Sequence, residues 1–385
     1  MWDYLPDEVV VEFLQRLPVK SLIRLRCVSK SWNSLITSPA FINSHLTQSL
    51  THFSNSNTKI VRYCTYPRSE KYILFRDENE SFDQIQQLDF LVASRQSRHF
   101  ILINFVNGLY CLNEHDRIIV WNPSIIKCIT LPKPSITIKT HGPISCCLAF
   151  GFDSRTNDYK VVRFAFQFVL EELDTPIVEV YSLSEGSWRI ISASATLQPE
   201  IRFKYGIGNA ASLNGAIHVA ATDWKNAPRP LVLTFDLSDE VFREISVPNG
   251  MFREGDLVST SVFQGLLSLL CYATDEDTGE KCCSIWVMKE YGIVESWTKQ
   301  FTVDLNGEIE RVLGVRKNGH ILVEAQERIS SELSSYDPES QQVQRLGICG
   351  FKYFHLDNYM ENLVLLDKPT DPLTRRRVSR KRKCR

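Results

Sequence analysis

Two textures of apolar and polar positions divide this chain. From Val10 to Ile36 apolar residues recur at helical spacing: Val10, Phe13, Leu14 and Leu17 at i, i+3, i+4 and i+7, then Leu22, Leu25 and Val28 in a second stripe, then Trp32, Leu35 and Ile36 in a third. Pro6 suits the first turn of a helix, where a missing N–H costs nothing, and Asp7 and Glu8 follow where negative charge favours a helix start. Pro18 stops that helix and can open the next. Ser38-Pro39 reads as an N-cap and first helical position for a short fourth helix, PAFINSHL. A helical module over residues 1–46 follows. So short a bundle cannot bury this much apolar surface by itself. The surplus calls for a partner, either another protein or the remainder of this chain.

Residues 47–59, TQSLTHFSNSNTK, are polar without a sustained period and read as a linker. From residue 60 to 367 short alternating or wholly apolar runs stand between Gly, Pro, Asn and Asp, which is strand texture. The chain there repeats itself loosely. Hairpins marked by Trp121, Tyr181, Phe235, Trp286 and Tyr336 recur at intervals of 60, 54, 51 and 50 residues. A period near fifty suits one four-stranded propeller blade. An earlier strand enters most units through a turn: Asn107-Gly108, Asn214-Gly215, Gly265 and Asn318-Gly319. Asn-Gly favours such hairpins because both residues tolerate positive φ. The second unit opens differently, with LAFGFDSRTNDYKVVRF and a turn from Ser154 to Asp158. Strand-like runs IVRYC and YILF precede the first unit, and YMENLVLLD follows the fifth. Pairing of the two ends would remove the exposed edges and supply a sixth unit. The expected fold is a small all-α module followed by an all-β propeller-type domain of five or six blades.

Composition narrows the function. With 43% apolar and 23% charged residues, the 385-residue chain is of ordinary globular make-up. A formal net charge of -1 gives no global attraction to nucleic acid or anionic membrane. Eleven scattered cysteines contain no CxxC pair, so neither a zinc ribbon nor a thioredoxin-type site is supported. No secretory leader opens MWDYLPDE and no apolar run reaches the length of a membrane span, so reduced cysteines in a cytosolic or nuclear protein are expected.

Searches for chemistry return little. GIGNAA, from Gly206 to Ala211, has the letters of a dinucleotide loop but no strand-loop-helix around it, and reads as a glycine-rich loop. The histidines show no metal-ligand spacing, and His218 within AIHVA reads as a packed strand residue. Trp121, Trp188, Trp286 and Trp297 read as packing between blades. No catalytic set, cofactor or metal site is expected, and neither a membrane nor a nucleic acid is an expected partner.

The tail is the one charge anomaly. In 368–385, read as a basic disordered tail, RRRVSRKRKCR supplies a candidate nuclear import signal at Arg375, Arg376, Arg377, Arg380, Lys381, Arg382 and Lys383. Ser379 follows Arg376-Arg377-Val378, a spacing basophilic kinases favour, and phosphate there would subtract charge from the cluster.

Two stretches resemble known families. Leu5-Pro6, Leu17-Pro18 one helix later, and SLIRLRCVSKSW with Val28, Ser29 and Trp32 resemble the F-box. That resemblance implies binding to a Skp-family adaptor and, through it, to a cullin-RING ubiquitin ligase. Its adaptor-binding residues would be Leu5, Pro6, Leu14, Leu17, Pro18, Leu22, Val28 and Trp32, which form or support the adaptor-facing surface. NGLYCL with VWNPS and ITLP, then FGFDSRTNDYKVVR, VEVYSLSEGSWR and IWVMKEYGIVESWTK, in that order, resemble the plant F-box-associated domain, which is kelch-like. Within that family the domain recruits the protein to be ubiquitinated. The implied function is a non-enzymatic substrate receptor in the nucleus and cytoplasm, its target unknown. The alternatives are a non-degradative interaction scaffold and an enzyme built on the propeller.

Overall fold

The computed structural model describes residues 6–52, 57–65, 69–90, 92, 99–114, 117–169, 172–173, 176–191, 200–203, 210–225, 228–252, 256–275, 277–327 and 330–369. They form two compact units, residues 1–131 with 355–385, and residues 132–354. Leu5, most of GIGNAA and the basic tail lie outside the described residues.

The first unit opens with four helices: α1 (Asp7–Gln15), α2 (Val19–Leu25), α3 (Lys30–Ile36) and α4 (Pro39–His52). Pro6 and Pro18 stand just before α1 and α2, each with ψ near 145° (143° and 147°), so each redirects the chain into a helix. Ser29 caps α3 by accepting a hydrogen bond from Trp32 N at 3.1 Å. Ser38 does the same for α4, accepting from Phe41 N at 3.2 Å. That fourth helix runs to His52, six residues into the stretch expected to be linker (47–52), because Phe41, Ile42, His45 and Leu46 are buried at helical spacing and Gln48, Ser49 and Leu50 stay partly buried after them. Strand structure begins at Thr58, close to the expected start.

Beyond the helices the described residues hold six antiparallel sheets. The first takes strands Thr58–Thr65, Ser69–Asp77 and Phe82–Gln87 and adds the last strand of the chain, Lys352–Asn358, beside Thr58–Thr65. The expected unit assembled from both ends is therefore present, but Lys352–Asn358 closes it and the YMENLVLLD run does not, since its residues 359–366 form no strand. The second sheet runs Ile101–Val106, Leu109–Glu114, Arg117–Asn122 and Lys127–Thr130 in sequence order. Between these two sheets lies a core of Tyr72, Phe105, Tyr110, Leu112, Ile119 and Trp121, with the Tyr72 and Trp121 rings edge to face at 4.7 Å.

The second unit holds the other four sheets, built around hairpins with the same order. All five repeat markers fall on the third strand of their sheets: Trp121 in Arg117–Asn122, Tyr181 in Ile177–Ser182, Phe235 in Arg229–Asp236, Trp286 in Lys281–Met288 and Tyr336 in Ser331–Tyr336. The turns Asn107-Gly108, Asn214-Gly215 and Gln264-Gly265 join first to second strands with positive φ at both residues. A continuous apolar cluster joins each sheet of this unit to the next, as with Val162, Val180, Leu231 and Phe235 between the third and fourth. The sheets thus pack face to face, which accounts for strands apolar on both faces.

Buried polar groups hold the turns. Glu179, fully buried, pairs with Arg163 and accepts from Ser135 N (2.8 Å) and Ile136 N (3.0 Å), while Arg163 donates to Ile136 O at 2.9 Å. One ion pair therefore spends its remaining valences pinning the connection that enters the third sheet. His218 is fully buried, as a packed strand residue should be. Its Nδ1–H faces Ala211 O at 3.3 Å, so its Nε2 accepts from the Tyr291 hydroxyl at 2.7 Å. Burial pulls its pKa down to about 4.

Candidate functional site

The helical module closes part of its apolar surface and leaves part open. Leu14, Leu22 and Ile36 have no exposed surface, and Val19, Phe41 and Leu46 very little. Gln15 Nε2 donates to Ser44 Oγ at 2.6 Å, tying α1 to α4. His45 is nine-tenths buried and its Nε2 lies 3.4 Å from Leu17 O, tying α4 to the corner between α1 and α2. Burial lowers the His45 pKa, which favours the neutral ring at that place.

Among the described residues of the module, three large apolar side chains are exposed. Val9 is 45% exposed, Phe13 50% and Val28 65%. Two of them come from the outer side of α1, and Val28 from the connection that follows α2. Helical spacing alone placed Phe13 on the same stripe as Leu14 and Leu17. The fold divides that stripe, turning Leu14 fully inward and Phe13 half outward.

The sequence-derived residues sort accordingly. Pro6, Pro18 and Val28 are exposed, Leu17 and Trp32 are half-buried, and Leu14 and Leu22 are fully buried. In this fold Leu14 and Leu22 belong to the core of the module. Val9 and Phe13 are the residues that sequence reasoning did not place on it. Their one signal was position: each directly follows an exposed glutamate of α1, Val9 after Glu8 and Phe13 after Glu12.

Part of the module docks on its own chain. Val19 N, at the start of α2, donates to Glu361 Oε2 at 3.2 Å. Glu361 belongs to residues 359–366, which follow the last strand and carry the sequence YMENLVLL. The buried end of α2 is thus satisfied within the molecule, while Phe13 and Val28 are not covered.

Elsewhere, among the described residues, one cluster has metal-ligand chemistry. Glu327, Glu332 and Cys349 bring ligand-type atoms within 4.8 Å of one another. Arg345 sits against both glutamates and also pairs with Glu308 at 3.0 Å, so the group is an ion-pair cluster of three carboxylates about one guanidinium. Of the glycine-rich stretch, Ala211 opens the strand Ala211–Leu213, and no helix follows. Trp121 and Trp297 are buried between sheets, and Trp188 is half-buried with its Nε1 donating to Pro132 O at 2.8 Å.

Comparison with known proteins agrees with both halves of this description. Residues 2–44 match the family model of the F-box domain, and residues 54–368 match that of the F-box associated beta propeller domain. F-box protein At3g07870 of Arabidopsis thaliana is 27% identical, covering 95% of this chain and 93% of its own length. F-box/kelch-repeat protein At3g23880 of the same plant is 26% identical over 83% of this chain and 85% of its own. F-box protein CPR1, also of Arabidopsis thaliana, is 29% identical over 78% and 73%. A solved oligogalacturonate lyase from Vibrio parahaemolyticus reaches a TM-score of 0.39 at 9% identity over 74% of this chain and 78% of its own, too slight a likeness to bear on the argument. The six sheets are accordingly six blades, and with a helical F-box ahead of an F-box-associated β-propeller the chain belongs to the plant F-box proteins.

Proposed function

We propose that this chain is the substrate-recognition subunit of a Skp-cullin-F-box ubiquitin ligase. The F-box holds a Skp-family adaptor, and the propeller holds a target protein that is then ubiquitinated and degraded. The observation that carries this reading is the exposure of Val9 and Phe13 on α1 and of Val28 after α2, on a module that matches the F-box and buries Leu14, Leu22 and Ile36. A cullin-RING assembly joins through the adaptor. In this reading the chain acts by proximity. It raises the effective concentration of target lysines near a ubiquitin-charged enzyme.

Affinity for the adaptor concentrates in a few apolar anchors. The double variant Leu17→Ala with Trp32→Ala is expected to lose adaptor co-purification while the β-sheet circular dichroism stays unchanged. Adaptor binding at the wild-type level would refute the interface. The basic cluster at Arg375, Arg376, Arg377, Arg380, Lys381, Arg382 and Lys383 serves in this reading as a nuclear import signal, giving a protein shared between nucleus and cytoplasm. A fluorescent reporter carrying residues 368–385 should concentrate in the nucleus, and an even distribution would remove that role.

A further inference from the structure

The Val19–Glu361 contact joins the two ends of the chain's sequence, 342 positions apart. The start of α2 has no side-chain cap, since Pro18 precedes it. Its first N–H groups have no partner within the helix. Val19 is 1% exposed, so its N–H needs an acceptor from the protein, and that acceptor comes from the far end of the chain.

Glu361 is held in place by its neighbour. Asn362 is fully buried; its Nδ2 donates to Asn107 O at 2.7 Å, and its Oδ1 accepts from Asn122 Nδ2 at 2.7 Å and from Val364 N at 2.9 Å. Asn122, also fully buried, donates in addition to Val364 O at 2.8 Å. The turn beneath admits no side chain: a Cβ on Gly108 would stand 2.3 Å from Met360 O. Tyr359 N donates to Thr58 O at 2.8 Å, and Lys127 Nζ to Leu366 O at 3.0 Å. Residues 359–366 are neither helix nor strand, yet they are fastened at both ends and in the middle to the first two blades. A carboxylate mounted on such a segment has a fixed position.

We infer that Glu361 is a positioning residue for ubiquitin transfer: it fixes α2 of the F-box on the fastened segment 359–366, so that an adaptor on the open face is held at one angle to the first two blades. This inference rests on the substrate-receptor reading. Transfer depends on which lysines reach the charged enzyme, and a loosely hinged F-box would sweep over many.

The test uses the full chain with a purified Skp-family adaptor. In Glu361→Ala, hydrogen exchange at the amides of Val19, Lys20 and Ser21 should accelerate by about tenfold, the change that loss of one net hydrogen bond supplies. Adaptor affinity should stay within about twofold, since the open face is untouched. In the reconstituted ligase, ubiquitin on the chain's own lysines should spread over more sites at an unchanged total rate. Glu361→Gln, which keeps an acceptor of the same reach, should restore the wild-type site pattern. Unchanged exchange in Glu361→Ala would overturn the contact, and faster exchange with an unchanged site pattern would overturn its positioning role. Should Glu361→Ala unfold the module, Glu361→Lys against Glu361→Gln supplies the same two readouts. Failure of the unaltered chain to bind the adaptor would instead sink the substrate-receptor reading, and the exchange measurement would still decide the contact.

Discussion

Phe13 gives the most direct measure of the open F-box face. Half of its side chain is exposed, on an element whose neighbouring Leu14 is fully buried. An aromatic side chain buries about 200 Å² when covered, so about 100 Å² of Phe13 is available to a partner. At about 25 cal/mol per Å² that area contributes about 2.5 kcal/mol, and the Cβ retained by alanine reduces the loss to about 2 kcal/mol. Phe13→Ala should therefore weaken adaptor binding about thirtyfold. Isothermal titration of the purified chain with a Skp-family adaptor reads this directly, with a thermal melt alongside to report the lost inner half. Val28→Asp separates binding from folding. Val28 is 65% exposed, so the substitution costs the fold little, whereas an adaptor seated over it would have to bury a carboxylate. Adaptor affinities within about twofold of wild type in both variants would refute the face as drawn.

Other outcomes follow from the same geometry. Asn122→Ala removes the donor shared by Asn362 and Val364 and leaves buried acceptors unmatched, a loss of about 3 kcal/mol that a denaturant titration would show as a lower midpoint. Gly108→Ala meets Met360 O at 2.3 Å with φ at +85°, and should lower the melting temperature more than Gly265→Ala, where nothing lies near the added carbon. His218 is neutral when folded, with a pKa of about 4 against about 6.5 when unfolded. Its contribution to stability is complete above about pH 6.5 and falls away toward pH 4, since the unfolded chain takes up the proton first. The stability lost between pH 7 and pH 5 should accordingly be smaller in His218→Asn than in the wild type, and equal losses would contradict the burial argument. Glu179→Gln weakens the hold on Ser135 and Ile136 and should speed exchange at those two amides selectively.

The blades were legible in the sequence because each needs the same local devices. Asn107-Gly108 and Asn214-Gly215 mark turns by chemistry, and the third-strand markers recur because a large ring packs at that place, buried at Trp121, Tyr181, Phe235 and Tyr336 and half-buried at Trp286. The cap at Ser38 was legible for the same reason, acting within three residues, whereas the cap at Ser29 was not read from the sequence. What could not be read were contacts made across the chain. Nothing near Glu361 announces that it serves Val19, and the YMENLVLL run looked like one more strand although 359–366 form none. The open face was read in part. Val28 was placed on it through the family resemblance, while Phe13 was hidden by a periodicity that cannot say which side of a wide apolar stripe is covered.

The strand Lys352–Asn358 is synthesised last and joins Thr58–Thr65, which is made near the start. During translation the first blade therefore waits, its edge unpaired, until some three hundred further residues have left the ribosome, a count set by the span between those strands. Premature termination between Gln87 and Lys352 yields a molecule that carries the whole F-box, the edge of an unfinished blade and no Glu361. On the substrate-receptor reading proposed above, such a fragment occupies adaptor without a closed propeller, so the fold ties competence of the receptor to completion of its own message.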